Sequence, residues 1–352
     1  MWGYRLMRNA RPSFFGTGKV SQEKTIVVDV QGLSKTYAGR IKAVDDITFR
    51  VLEGETFGFL GPNGAGKTTT IDLLTTQVRP TSGNAKVAGY DVLGHPNEVR
   101  KRISVVPQNS TSDEELNGYE NVMVIASLYG IPKRQSKRTI EEVMNLVELE
   151  DAAKRKVRTY SGGMRRRLEI ACGLVSHPKV LFLDEPSLGL DVQTREALWE
   201  YLQRLKEEYS MTLFVTTHYM EEADQLCDRV AIIDGGKVVR IGTPNEIKAI
   251  VGADIVELTV DVASDETTMA ISETEYVASV ERKGSDYRIK TQEGEKALPS
   301  IIDSVRSTGH KVKRVSLSKP TLSQAYLELT GRAFREEDPR REEDASMRRA
   351  FG

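Results

Sequence analysis

The sequence GPNGAGKTT, residues 61–69, lies between two apolar runs and indicates the type of fold. It matches the phosphate-loop pattern G-x-x-x-x-G-K-[ST], in which glycines let consecutive backbone N–H groups face an anion at a helix start. TFGFL (residues 56–60) has the composition of a buried strand, and TTTIDLL (residues 68–74) that of the helix which follows. The strand, loop and helix that the pattern requires are therefore predicted in order. A glycine-rich turn with a solvated lysine is the alternative.

Three more short motifs follow this loop along the chain. YSGGMRRRLEIA (residues 160–171) places a serine and two glycines before a helix, so Ser161 is predicted to cap that helix. A helix start with exposed amides is also an anion site, because the helix dipole is positive there. The other two motifs are VLFLDEP (residues 180–186) and TTHY (residues 216–219).

Composition and charge narrow the class of protein. With 352 residues, 39% of them hydrophobic, the chain is long enough for two domains. Its 50 basic and 51 acidic residues give a net charge of −1, so no global field attracts nucleic acid or anionic lipid. The two cysteines, Cys172 and Cys227, lack C-x-x-C spacing, which indicates a reducing compartment and argues against disulfides or a zinc site. No run approaches the roughly 18 apolar residues of a membrane-spanning helix.

Residues 25–252 are predicted to form an α/β domain. Predicted strands and helices alternate along it, and a helical insert occupies about residues 109–176. The predicted strands are residues 25–30, 47–51, 56–60, 84–87, 103–106, 180–183, 212–216 and 230–234.

A small α+β domain is predicted at residues 253–331. Its apolar pattern gives strand, helix, strand, strand, helix, strand, which is the βαββαβ order of a ferredoxin-like fold. A closing helix is predicted to pack on this unit through one apolar face. That face consists of Leu322, Ala325, Tyr326 and Leu329.

Both ends of the chain are predicted to be disordered. In residues 1–24, Pro12 would end any helix early, although contact of the arginines and aromatic residues with a membrane surface is the alternative. Residues 332–352 are rich in both signs of charge and almost free of apolar residues, which predicts a disordered tail.

The motif residues indicate phosphate and metal chemistry. Lys67 is predicted to reach the β and γ phosphates of a nucleotide, and the Thr68 hydroxyl to bind Mg²⁺. Asp184 ends an apolar strand, where a carboxylate is costly unless it meets a cation, and a metal beside Thr68 would remove that cost. Glu185 is placed to orient or deprotonate the attacking water. A solvated turn is the alternative for the Asp184–Glu185 pair.

Three adjacent arginines, Arg165, Arg166 and Arg167, raise the question of nucleic-acid binding. On a helix, three adjacent residues fan around the surface, and Glu169 interrupts their positive field. We therefore expect no nucleic-acid partner.

With these motifs the chain resembles the ATP-binding cassette (ABC) family, and within it the nucleotide-binding subunits of drug-resistance exporters typified by daunorubicin transporters. The resemblance covers about residues 27–331. It also rests on VVPQN with Gln108, on SLGLD ending at Asp191, and on the closing KPTLSQAYLELTGR. The chain departs from the family where leucine and glutamine are usual around the signature, since it has Tyr160 and Met164 there.

The resemblance implies a P-loop ATPase cassette that binds ATP and Mg²⁺. Lys67, Glu185 and His218 would be catalytic, and Thr68, Gln108 and Asp184 would contact the metal. The remaining nucleotide contacts would come from Tyr37, Gly61, Pro62, Asn63, Gly64, Ala65, Gly66, Thr69, Ser161, Gly162, Gly163 and Asp191.

Several of these implied roles are specific. Tyr37 would stack on adenine, Gln108 would couple the metal to the membrane partner, and His218 would contact the γ phosphate. Each has a simpler alternative, namely a core aromatic, a loop amide and a surface histidine. Residues 161–163 would cover the γ phosphate of ATP bound to the opposite subunit, and Asp191 would connect the two sites.

The resemblance also implies partners and a location. The partners would be a second copy of the chain or a paralogous cassette, together with an integral membrane permease subunit. The permease would dock between Gln108 and Tyr129, which places the chain at the cytoplasmic face of the cell membrane. The alternatives are a non-transport ABC ATPase and a regulatory module whose C-terminal domain senses a ligand. Non-transport members carry two cassettes or a long coiled coil, neither of which this sequence has.

Overall fold

The structure, a computed structural model, describes residues 25–252 and 254–331. The disordered segments predicted at residues 1–24 and 332–352 lie outside these described residues. The chain divides into two units between Ile241 and Gly242. The domain boundary predicted after residue 252 stays a prediction.

The first unit alternates strands and helices, as its apolar pattern predicts. Its strands are β1 (Ile26–Tyr37), β2 (Ile41–Leu52), β3 (Thr56–Leu60), β4 (Ser82–Val87), β5 (Tyr90–Asp91), β6 (Ile103–Val106), β7 (Val180–Asp184), β8 (Thr212–Thr217), β9 (Arg229–Asp234) and β10 (Lys237–Gly242). Its helices are α1 (Lys67–Leu74), α2 (Pro96–Arg100), α3 (Gly118–Leu128), α4 (Lys133–Leu146), α5 (Gly162–Leu174), α6 (Val192–Tyr209) and α7 (Met220–Leu226). The pattern does not predict α2, α7, β5 or β10. The first three are too short to show a period, and β10 is largely exposed.

A six-stranded sheet in the order β10-β9-β3-β8-β7-β6 forms the centre of this unit. The pairs β3–β8, β3–β9, β7–β8 and β6–β7 are parallel. The strands β3, β7 and β8 are buried along their whole length, as expected for parallel strands with both faces covered. Because β3, β8 and β7 are parallel neighbours, the segments that follow them lie side by side at one edge of the sheet. The α/β prediction is confirmed.

An antiparallel sheet in the order β2-β1-β4-β5 shares its core with the central sheet. Five phenylalanine rings form the middle of this core, and such pairs add about 0.5–1.5 kcal/mol each beyond their buried area. Phe214 is the central ring, with centroid distances of 5.3 Å to Phe182, 5.6 Å to Phe59, 5.8 Å to Phe57 and 6.1 Å to Phe49. The strands that lead into the motif loops are therefore held by large buried side chains.

Helices α3, α4 and α5 occupy the predicted helical interval. At the start of α3, Asn117 and Glu120 form a capping box, in which each side chain accepts the other's backbone N–H. Gly130, with φ 72°, follows the end of α3, at the predicted break. The three helices pack on one another, and α4 contributes the buried side chains of Ile140, Val143 and Met144.

The second unit has the predicted βαββαβ order. It contains α8 (Pro244–Lys248), a 3₁₀ turn (Ala249–Val251), β11 (Asp254–Val260), α9 (Asp265–Ser272), β12 (Val277–Lys283), β13 (Asp286–Thr291), α10 (Gly294–Ser307), β14 (Val312–Ser318) and α11 (Leu322–Thr330). Its sheet has the order β12-β13-β11-β14 with antiparallel pairs, which is the ferredoxin-like arrangement. Within residues 25–252 and 254–331, none of the helices combines the length and the apolar composition that crossing a membrane requires.

Helix α11 buries part of the predicted apolar face, but against a different surface. Leu322, Ala325 and Tyr326 are buried, and the helix packs mainly on α8 and the 3₁₀ turn. The sequence predicted packing on the βαββαβ unit. That unit already fills its core with side chains of β11, β13, α9 and α10, so its apolar surface is covered without α11.

Candidate nucleotide-binding site

The phosphate loop, residues 61–66, connects β3 to α1 and depends on two of its glycines. Gly66 precedes α1 with φ 103°, and a Cβ there would lie 2.3 Å from the carbonyl oxygen of Ala43. A Cβ at Gly61 would lie 2.3 Å from the carbonyl oxygen of Ile233. Only glycine fits at these two positions. The loop is therefore held against neighbouring backbone on both sides.

Lys67, the first residue of α1, contacts Glu185, which is also predicted to be catalytic. Its side chain is only 4% exposed, and Nζ donates to the carbonyl oxygen of Gly61 over 2.8 Å and to that of Pro62 over 3.2 Å. The same ammonium lies 3.0 Å from Oε1 of Glu185. A buried cation is thus paired with a buried carboxylate, as burial of charge requires.

Glu185 follows β7 directly and also contacts His218, which follows β8. His218 Nδ1 lies 2.7 Å from Glu185 Oε2, and both side chains are buried. Burial raises the pKa of the Glu185 carboxyl, but the His218 hydrogen bond and the Lys67 charge outweigh burial, so this pKa lies below its ordinary value. Glu185 is therefore an ionised carboxylate at neutral pH. Its backbone has φ 45°, a strained conformation for a residue other than glycine and one that recurs at functional sites.

Asp184 and the loop residues provide oxygen ligands of the kind that Mg²⁺ prefers. Asp184 is buried, and its Oδ1 accepts the hydroxyl of Thr216, its neighbour on β8. Thr68 and Gln108 both line a cavity of about 360 Å³ that also contains Lys67 and Glu185. Among the described residues, no cluster of three His, Cys, Asp or Glu side chains is placed to hold a metal. Mg²⁺ takes few protein ligands and keeps water and phosphate oxygens, so the oxygen atoms of Asp184, Thr68 and Gln108 fit an Mg²⁺ that arrives with nucleotide phosphates.

Part of the predicted set gathers around this cavity, and part does not. Asn63, Gly64 and Thr69 line it. Tyr37 is exposed at the end of β1, with Lys35 Nζ 4.9 Å from its ring centroid, and is not among the described lining residues. Asp191 caps α6, accepting the Thr194 backbone N–H over 2.9 Å.

The signature segment at residues 161–163 also lies outside the cavity of its own chain. Ser161 caps α5 as predicted, with its Oγ accepting the Met164 backbone N–H over 3.2 Å. Ser161 and Gly162 are exposed. The positive end of a 13-residue helix therefore faces outward, where an anion can approach it.

The sequence predicted that the three adjacent arginines fan around the helix surface. That prediction is wrong for one of them. Arg166 is buried, with 7% of its side chain exposed, and it pairs with buried Glu169. Arg165 and Arg167 are partly exposed and pair with Glu114 and Glu148. The reason for the difference is tertiary: carbonyl oxygens of two neighbouring loops surround the position of Arg166.

Glu222 on α7 is a buried carboxyl group that the sequence analysis missed. Trp199 Nε1 donates to its Oε1 over 2.9 Å. Burial raises the pKa of Glu222, although the Trp199 N–H and the nearby Arg195 guanidinium oppose the shift. The one available signal is that position 222 shares a helix face with Leu226, which is buried as well.

We predict that Glu222→Gln stabilises the protein progressively as the pH rises. The carboxyl of the unfolded chain titrates near its ordinary pKa of 4.5, whereas the pKa of the folded state is higher. The contribution of Glu222 to the free energy of unfolding is therefore complete below that ordinary pKa, and it is lost as the pH rises through the pKa of the folded state. Glutamine avoids this loss and still accepts the Trp199 N–H.

Urea denaturation from about pH 4 to about pH 8 measures this difference in the free energy of unfolding. Glu221→Gln, at an exposed position on the same helix, is the matched control and should show no such trend. A difference between wild type and Glu222→Gln that stays constant over this range would contradict the assignment.

Two family models match the chain. One, described as ABC transporter, covers residues 44–188. The other, described as ATP-binding protein DrrA1-3-like, C-terminal domain, covers residues 242–330. The second match begins where the structure divides the chain into its two units.

Similar proteins and structures point the same way. The chain is 36% identical to daunorubicin resistance ATP-binding protein DrrA3 of Streptomyces coeruleorubidus, over 86% of this chain and 96% of that protein. It is 34% identical to Nod factor export ATP-binding protein I of Ralstonia nicotianae, over 94% of this chain and all of that protein. A dimeric ATP-binding cassette bound to ADP and phosphate superposes with a TM-score of 0.55 at 26% identity, over 61% of this chain and 98% of that one. The chain therefore belongs to the ABC transporter family, as an ATP-hydrolysing ATP-binding protein with a DrrA-like C-terminal domain.

Proposed function

We propose that this chain energises an exporter as a dimer that encloses two ATP molecules and docks on a separate membrane-spanning permease. The observation that supports this proposal is an asymmetry in the site. Lys67, Glu185 and His218 meet in one buried cluster, whereas the exposed start of α5 lies outside that cavity. The relatives named above are resistance and export proteins, which favours export as the direction of transport.

ATP is held by the phosphate loop in this proposal. The Lys67 ammonium and the backbone N–H groups around Gly64 and Gly66 face the phosphates, and the γ phosphate competes with Glu185 for the lysine. Thr68, Gln108 and Asp184 are the residues that would hold Mg²⁺. The metal, when bound, neutralises charge that develops on the phosphate oxygens.

Glu185 acts on the attacking water. Its carboxylate is ionised, and the hydrogen bond from His218 holds one of its oxygens in a fixed orientation. The other oxygen can accept a hydrogen bond from Lys67 or from a water beside the γ phosphate. General-base assistance of this kind contributes about 10² to 10⁴ in rate.

A second copy completes the site. The γ phosphate is contacted on one side by the phosphate loop, and the opposite side requires another group of donors. The start of α5, with Ser161 and Gly162 exposed, offers backbone N–H groups and a positive dipole end. Donors that are already oriented toward developing charge supply much of an enzyme's stabilisation of the transition state.

The surface for the permease lies on α3, inside the predicted interval from Gln108 to Tyr129. Three large apolar side chains of this helix are exposed, with Met123 at 40%, Val124 at 47% and Leu128 at 78%. Exposed apolar patches of this kind are typical of surfaces that bind another protein. The segment that carries Gln108, residues 107–111, precedes the same helix in the chain. A partner on α3 would therefore bind a part of the chain that closely follows a predicted ligand of the metal.

Glu185→Gln should keep ATP binding and lose turnover. The amide retains the size of the side chain but cannot accept a proton, so we expect a fall in turnover of about 10² or more. ATP affinity should be retained, since the phosphate loop keeps its residues and the glutamine no longer competes with the γ phosphate for the Lys67 ammonium. Nucleotide titration, phosphate release and size-exclusion chromatography measure affinity, turnover and accumulation of the ATP-bound dimer.

Glu207→Gln, at an exposed position on α6, is the control and should behave as wild type. If Glu185→Gln hydrolysed ATP at the wild-type rate, Glu185 would not be the general base.

Turnover per chain should rise with protein concentration when no permease is present. Each site needs a signature segment from another copy, so dilution separates the site from its second half. The rate of phosphate release, measured over a dilution series alongside the molecular mass in solution, tests this dependence. A constant rate per chain from a species that remains monomeric would contradict the shared site.

A further inference from the structure

Arg166 on α5 is a buried arginine that none of the proposed catalytic steps uses. Only 7% of its side chain and 5% of that of Glu169 are exposed, and Arg166 Nη1 lies 2.8 Å from Glu169 Oε2. Both residues belong to α5, which the exposed Ser161 caps. A buried ion pair is expensive unless its remaining donors and acceptors are also satisfied.

The other donors of Arg166 contact the backbone on both sides of Glu185. Nε donates to the carbonyl oxygen of Pro186 over 2.8 Å, and Nη2 donates to that of Asp184 over 3.1 Å. The guanidinium thus holds the carbonyl groups of the residues immediately before and after Glu185, whose own backbone is strained. Such a conformation persists only when its surroundings enforce it.

The same pair also contacts both ends of the segment that carries Gln108. Arg166 Nη1 donates to the carbonyl oxygen of Pro107 over 2.7 Å. Glu169 Oε1 accepts the Thr111 backbone N–H over 3.2 Å. One ion pair therefore connects three parts of the site: the Gln108 segment, the backbone around Glu185, and the helix that carries the signature segment.

We propose that the Arg166–Glu169 pair is a positioning device that sets Glu185 and the Gln108 segment relative to the start of α5. This inference rests on the proposed roles of Glu185 and Gln108. A docked partner that displaces the Gln108 segment would move Pro107 and Thr111, which contact the pair. The pair would pass this displacement to the carbonyl groups of Asp184 and Pro186, on either side of Glu185. Arginine is required because its planar fork offers five donors in fixed directions, which the point charge of lysine does not reproduce.

A role in stability alone makes a different prediction. When a buried ion pair is replaced by apolar side chains of similar size, folding stability is often unchanged or improved. The double variant Arg166→Met with Glu169→Leu therefore removes the polar contacts without leaving an unpaired charge. The double variant therefore shows whether the Arg166–Glu169 pair is needed for folding or for positioning the site.

The experiment compares full-length wild type with the double variant, with Arg166→Lys, and with two controls from the same arginine run. The controls are Arg165→Met and Arg167→Met, whose wild-type partners, Glu114 and Glu148, are exposed rather than buried. Thermal unfolding, ATP titration and turnover are measured for each. We expect the double variant to unfold at or above the wild-type temperature and to bind ATP within roughly threefold, with turnover reduced by about 10², because small displacements of reacting groups cost about that much.

Arg166→Lys should lose turnover to a similar degree, whereas both controls should keep it. Hydrogen exchange gives a readout that a purely structural role would not move. In the folded double variant, the amides of residues 108–110, 112, 184, 185, 187 and 188 should exchange faster, while those of the phosphate loop should not change.

Wild-type turnover in the stable double variant, or full turnover in Arg166→Lys, would overturn the proposal. Glu185→Gln, measured in parallel, distinguishes a failure of the positioning role of the pair from a failure of the role proposed for Glu185. If that variant kept turnover while the double variant lost it, the assigned role of Glu185 would fail and the positioning of the Gln108 segment would stand.

Discussion

The candidate site depends on one constraint, the mutual neutralisation of charged groups buried at the end of a parallel sheet. Lys67 lies 3.0 Å from one oxygen of Glu185, and His218 lies 2.7 Å from the other. Removing one member of such a buried pair typically costs about 3–5 kcal/mol, because the partner is left unpaired in a poorly solvated place. The neighbouring parallel strands β3, β8 and β7 meet this constraint, because the residues that follow each of them arrive at the same edge.

The same arrangement supports the proposal that one chain carries only part of the site. The buried cluster brings a carboxylate and a lysine together at the cavity, while the start of α5, with its positive dipole end, lies exposed outside that cavity. Arg166 nevertheless connects α5 to the backbone beside Glu185 and to Pro107. In this account the helix therefore has two functions: its start serves a neighbouring copy, and its buried pair orders the site of its own chain.

Much of this site is predictable from local sequence, because local geometry determines it. The glycines and Lys67 of the phosphate loop follow from the pattern. The contact of Glu185 with His218 depends on β7 and β8 being neighbours, which the sequence does not predict. Arg166 and Glu222 are not predictable in the same way. Their burial depends on which distant carbonyl groups and aromatic rings surround them, and Arg166 has exposed neighbours of the same type. The surface that α11 covers is missed for the same reason, since it is formed by the short helix α8 and a 3₁₀ turn.

Subunit complementation tests the shared site most directly. Lys67→Ala removes the lysine from a chain's own cavity, and Ser161→Asp keeps a good helix cap while placing a negative charge where the neighbour's phosphate would lie. Each variant alone should hydrolyse little ATP. In a mixed dimer both defects fall in one site and the other site is intact, so mixing the two proteins should restore turnover. A mixture that shows only the sum of the two separate rates, although mixed dimers form, would contradict the account.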